Sequence, residues 1–124
     1  MDFLGNWKLK AMLSADENGV RMLGRAELEA LGDEDLLKLL AADFIISDTA
    51  IDVYYQPTEE EMPMVKEEGL ELTDKGVLID SYPARIENGV LFVDYMKKGV
   101  EYAPTWIEDG VLALSGGLIK IQKA

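Results

Sequence analysis

With no histidine and no cysteine, the chain lacks the commonest general base, the commonest transition-metal ligand and every thiolate. Catalysis would fall to carboxylates, lysine or tyrosine, and these form no compact constellation along the sequence. No enzyme activity, cofactor or metal is therefore expected. What stands out instead is a set of aromatic side chains within apolar segments: Tyr55, Tyr82, Tyr95, Tyr102 and Trp106. A tyrosine offers an apolar ring and a hydroxyl handle, which suits a small amphipathic molecule. Alternation puts Tyr55 with Ile51 and Val53, and Tyr95 with Leu91 and Val93, on inward faces, while Tyr102 and Trp106 share a face. The same rings could fill a small core, and both readings stay open here.

Met62-Pro63-Met64 could offer thioethers to copper(I), but no further soft ligand lies nearby. Met62 and Met64 read better as adaptable apolar contacts at a cavity mouth. Asp33-Glu34-Asp35 and Glu59-Glu60-Glu61 read as solvated helix starts and loop faces. Asp16 to Gly19 is too short for a calcium loop. Ser115-Gly116-Gly117 lies between strands and opens no helix, so it is a turn and not a phosphate cradle.

The elements that must position these residues are mostly strands. Trp7-Lys8-Leu9-Lys10-Ala11 alternates with a period of two, pointing Trp7, Leu9 and Ala11 inward. Residues 25–41 switch to helical spacing, with Gly32 as a break and Asp33 as a new N-cap, giving two short helices or one kinked helix. Phe44–Ile46 and Ile51–Tyr55 flank a short polar connection that suits a hairpin. Residues 58–69 read as a loop or one helical turn. After that, Asp74-Lys75-Gly76, Glu87-Asn88-Gly89, Lys97-Lys98-Gly99 and Glu108-Asp109-Gly110 separate short apolar segments. Those segments are Val77–Ile86, Val90–Met96, Val100–Ile107, Val111–Leu114 and Leu118–Gln122. Pro83 and Pro104 fall inside two of them and mark bends, bulges or edges. The expected architecture is mainly β: one small antiparallel up-and-down barrel of roughly eight strands, with one or two short helices between the first and second.

The 124 residues suffice for one domain over 1–124 with its own core. The 24 acidic against 12 basic residues give a net charge of −12, which repels phosphate backbones and anionic lipid. Nucleic-acid binding is not expected, and neither is membrane insertion, since no apolar run approaches the ~20 residues of a spanning helix. Met1-Asp2-Phe3 has neither a basic nor an apolar leader region, so the chain as given reads as cytoplasmic, or as secreted or surface-anchored if a leader has been trimmed.

The opening segment Phe3-Leu4-Gly5-Asn6-Trp7 resembles the Gly-x-Trp signature of the first strand in lipocalins and the wider calycin group. Fatty-acid-binding proteins begin similarly and place two helices after their first strand, where residues 25–41 lie. The repeated Asn-Gly and Asp-Gly hairpins look most like short bacterial lipocalin-like proteins. The resemblance implies a barrel with Gly5 and Trp7 as structural signature, Trp7 closing one end. It also implies a Thr-Asp-Tyr motif between middle strands and an arginine packed over the tryptophan. No equivalent of the former is found, and the last strand offers only Lys120 and Lys123. Arg21, Arg25 and Arg85 form no convincing carboxylate-holding pair, which argues against a fatty acid. The function expected is non-enzymatic binding of a small apolar or amphipathic molecule. The alternative is a filled barrel that meets a protein partner, or a second copy, through its acidic surface or an exposed edge.

Overall fold

The alternating segments form an antiparallel sheet that curls until its two ends nearly meet. The computed structural model describes residues 3–70, 72–99 and 101–124, and of Asp16 only the backbone. Val100, expected to begin a strand, lies outside the described residues, as do Met1, Asp2 and Glu71.

The first strand, β1 (Gly5–Asp16), turns back at Gly19 into β2 (Gly19–Gly24). Two helices follow, α1 (Arg25–Ala30) and α2 (Glu34–Ala41). They are separate: Gly32 takes φ 67° between them, and the Asp33 carboxylate accepts the N–H groups of Asp35 and Leu36. Both pack on β1. The helices thus follow a hairpin extension of the first strand and do not leave that strand directly, because residues 19–24 pair with β1 before the chain turns helical.

Next come β3 (Asp43–Ile46), β4 (Ala50–Tyr55) and a short helix α3 (Met62–Glu67). Then β5 (Leu72–Thr73), β6 (Gly76–Glu87) and β7 (Val90–Val93) are joined by tight turns. The remaining strands are β8 (Ala103–Pro104), β9 (Trp106–Glu108), β10 (Val111–Leu114) and β11 (Ile119–Lys123). The strand order is β8-β7-β6-β4-β3-β1-β11-β10-β9, with β2 attached to β1 and β5 to β6.

Strands β8 and β9 are two halves of one segment broken at Thr105. Its first half pairs with β7 and its second with β10, so this segment bridges the two ends of the sheet. Pro104 has no N–H to extend a ladder. Thr105 instead anchors the break, its N–H and hydroxyl both donating to the Leu91 carbonyl at 2.9 and 2.8 Å. Leaving out the attached β2 and β5, and taking β8 with β9 as one, the eleven strands reduce to eight segments in up-and-down order. The fold is mainly β, an antiparallel sheet nearly closed into a barrel, with few short helices.

Two bulges re-aim side chains. On β1, Leu9 and Ala11 face the consecutive residues Ile121 and Lys120, so Lys10 is extra. On β6, Asp80 and Leu78 face the consecutive residues Val53 and Tyr54, so Ile79 is extra. An extra residue on one strand switches which parity points inward beyond it. The core itself is apolar and dense, centred on Trp7, Leu9, Leu28, Ile51, Leu91, Leu112 and Ile121. Among the described residues, no helix is long and apolar enough to cross a membrane.

Candidate functional site

A cavity of about 340 Å³ lies between the barrel wall and α2. Phe44, Ile51, Val53, Val93, Leu114 and Ile119 make apolar walls from five strands, and Leu39 of α2 faces them. Met12 reaches the cavity because of the first bulge; Ala11, expected inward, is buried but does not line it. The second bulge lets the adjacent residues Ile79 and Asp80 both reach it. Ile79 is 45% exposed, so the cavity is open on this side.

Its polar groups cluster. Tyr82 and Tyr95 meet edge to face with ring centres 6.2 Å apart. The Tyr82 hydroxyl donates to Asp80 Oδ2, and Lys97 Nζ donates to Asp80 Oδ1. The Ser81 N–H donates to the same Oδ1 at 2.9 Å. Tyr95 accepts the Ser115 N–H at 2.8 Å, tying the 115–117 turn to the cavity wall. Ser115-Gly116-Gly117 is a turn, with positive φ of 51°, 67° and 93° at its three residues.

Burial works to raise the Asp80 carboxyl, but the hydrogen bonds from Lys97, Tyr82 and Ser81 outweigh it and hold it below the ordinary value, so the group is a carboxylate at neutral pH. The Tyr82 phenol is pushed up to about 12, first by burial, then by the hydrogen bond to Asp80 and the charge behind it. Tyr95 is also raised by burial, against the opposing hydrogen bonds at Ser115.

For Tyr82 the folded state keeps its proton above the unfolded value of 10, so its contribution to stability is complete below pH 10. That contribution is lost as pH rises toward 12, because the unfolded chain ionises first. An alkaline titration followed by phenolate absorbance is expected to show a late step that Tyr82→Phe removes. An unchanged titration in that variant would contradict the assignment.

Of the candidate lining residues expected from sequence, Tyr82 and Tyr95 line this cavity, and Tyr55, Tyr102, Trp106, Met62 and Met64 do not. Tyr55 instead lines a smaller recess of about 80 Å³ beneath α3, with Met64, Val65, Val77 and Glu61. Its hydroxyl donates to Glu61 at 2.7 Å, which raises the tyrosine and lowers the carboxyl. Ile79 is shared by both spaces. Tyr55 has the expected parity but sits past the second bulge at the strand's end, where α3 covers it. Met64 is exposed on that recess, and Met62 is half-buried and lines neither space.

Tyr102 and Trp106 are off the site altogether. The inward parity of their segment belongs to Thr105 and Ile107, which leaves Tyr102 and Trp106 on the other face. The Arg85 guanidinium lies 4.5 Å from the Tyr102 ring, and Trp106 is 46% exposed beside Lys10, Lys120 and Val111.

Asp80, Ile79, Met12 and Leu39 went unnoticed in the sequence. One signal was available for Asp80: it is the lone charge in the otherwise apolar and small-residue stretch 77–84. Nothing comparable marks the other three.

On β1, Trp7 is 1% exposed and its indole N–H donates to the Phe3 carbonyl at 2.9 Å. Lys123, its cross-strand neighbour on β11, places Nζ 4.9 Å from the indole centre and donates to the Leu4 carbonyl at 2.6 Å. Gly5 leaves room for this: a Cβ there would stand 3.2 Å from the ammonium. Comparison of the chain with family models, curated proteins and solved structures returns no match. What the chain does is therefore read from its own barrel and cavity.

Proposed function

We propose that this chain is a lipocalin-like barrel that binds a small apolar or amphipathic molecule, without chemistry, in the cavity walled by Tyr82, Tyr95 and α2. The cavity carries this reading. It is about 340 Å³, mostly apolar, and has a few convergent polar groups on one side. That combination is typical of small-molecule sites, and the volume falls at the lower end of their range.

Two features support the lipocalin-like part. A cation does pack over the first-strand tryptophan, supplied by Lys123 in place of arginine. Val93-Asp94-Tyr95 holds a wholly buried aspartate before a tyrosine, between two middle strands, and is a candidate for the Thr-Asp-Tyr position that sequence reading alone passed over.

Protein purified from cells and examined by native mass spectrometry is expected to carry, or to take up, an apolar molecule. Nile red, a neutral dye, is expected to bind the wild type and to lose at least about tenfold in affinity with Leu39→Trp, which puts an indole into the empty space. The circular dichroism spectrum should be unchanged. Dye binding that ignores this substitution, or no uptake of any apolar molecule, would sink the proposal in favour of a barrel that acts through its surface.

A further inference from the structure

Among the described residues, Asp80 is the charged residue on the cavity wall, and a cation already stands in front of it. Asp80 receives Lys97 Nζ at 2.5 Å, and the same ammonium lies 4.9 Å from the centre of the Tyr82 ring. A carboxylate beside an aromatic face is a receptor for an ammonium group. Lys97 is not itself part of the cavity wall, and its side chain is 49% exposed, so it reaches Asp80 from outside.

The turn that presents Lys97 is held in place. Asp94 is fully buried, its Oδ2 accepts the Gly99 N–H at 2.6 Å, and its carbonyl accepts the Lys97 N–H at 3.3 Å. Lys97 adopts φ 58°, a left-handed conformation that lysine takes reluctantly. No lysine or arginine lines the cavity among the described residues. A ligand carboxylate would have to compete with Asp80 for the Lys97 ammonium, and a neutral ligand end would gain little from the Asp80 charge.

We propose that the ligand is a small apolar molecule carrying a protonated amine, that Asp80 and the Tyr82 ring receive its ammonium, and that Lys97 is a tethered stand-in which the ligand displaces. The inference rests on the binding function proposed above and narrows it to one ligand class. The exchange is like for like: one ammonium replaces another on the same carboxylate, so Asp80 keeps a counter-charge throughout. Lys97 goes back to water, where half of its side chain already is. An internal competitor lowers apparent affinity by the fraction of time it occupies the site, so removing it raises affinity. The net charge of −12 also concentrates cations near the protein.

Titration calorimetry with octylamine, octanol and octanoate tests this, because the three share one chain and differ in the end group. The wild type is expected to bind octylamine about tenfold more tightly than octanol, with octanoate weakest. Asp80→Asn should bring octylamine level with octanol and leave octanol binding intact. Lys97→Met should raise octylamine affinity several-fold without changing octanol. Lys98→Met removes the same charge from the next residue and should change neither. If octanol binds as tightly as octylamine, the amine inference falls while the cavity function stands; if none of the three binds, both fall. Should Asp80→Asn fail to fold, Lys97→Met decides alone, and an octylamine affinity that does not rise overturns the proposal.

Discussion

Replacing Trp7 with alanine is expected to lower the free energy of unfolding by about 3–5 kcal/mol. The indole is 1% exposed and occupies the point where the last strand closes on the first, opposite Lys123 on β11 and Phe44 on β3. Its removal forfeits the transfer energy of a large apolar side chain and leaves a void that rigid strands cannot fully close. It also strands the Phe3 carbonyl, which loses its 2.9 Å donor. Small domains are stable by roughly 5–15 kcal/mol, so a loss of this size consumes a large share of the margin. Urea unfolding followed by circular dichroism measures it. Lys123→Met, which removes the cation over the ring and its hydrogen bond to the Leu4 carbonyl, should cost no more than about 2 kcal/mol. A Trp7→Ala loss as small as that of Lys123→Met would mean the indole does not close the barrel.

Gly76→Ala is the second large effect, and its cause is backbone. Gly76 begins β6 with φ 111°, where an L side chain is strained. A Cβ there would stand 2.6 Å from the Tyr55 carbonyl oxygen and 3.0 Å from its carbon. Neither atom can swing aside as a side chain would, so the end of β4 must move. Strain and overpacking together are expected to cost roughly 2–4 kcal/mol. Gly89→Ala is the matched comparison: φ is 77°, but nothing lies within 4 Å of the added methyl. It should lose only about 1 kcal/mol. Equal losses at the two glycines, measured by the same denaturant titration, would show that the contact with Tyr55 carries no weight.

Much of the fold is legible before the structure is consulted. The alternation in Trp7-Lys8-Leu9 and the Asn-Gly and Asp-Gly pairs mark strands and turns because each depends on a few adjacent residues. Gly32 and the Asp33 cap mark the break within residues 25–41 for the same reason, and the structure resolves two helices over one kinked helix. The candidate site is less legible. Tyr82 and Tyr95 were found by residue type, yet type alone also drew in Trp106, whose parity with Pro104 puts it opposite the buried Thr105. Parity within that segment was readable; which parity faced inward was not.

By itself, then, the sequence determined the strand-and-turn grammar and the mainly antiparallel architecture. Local propensity and alternation are enough for these. Only the tertiary structure decided which side chains meet around the cavity. Bulges at Lys10 and Ile79 exist only relative to a partner strand, and each switches the inward face for the residues beyond it. Asp80, Tyr82 and Lys97 likewise come together through the pairing of β6 and the turn after β7, contacts that no local period encodes. Trp7 in the opening segment is buried where β1 pairs with β11 and β3. Which side chains meet around the cavity is a matter of register and not composition, and register is what brings the Asp80 carboxylate to an apolar wall.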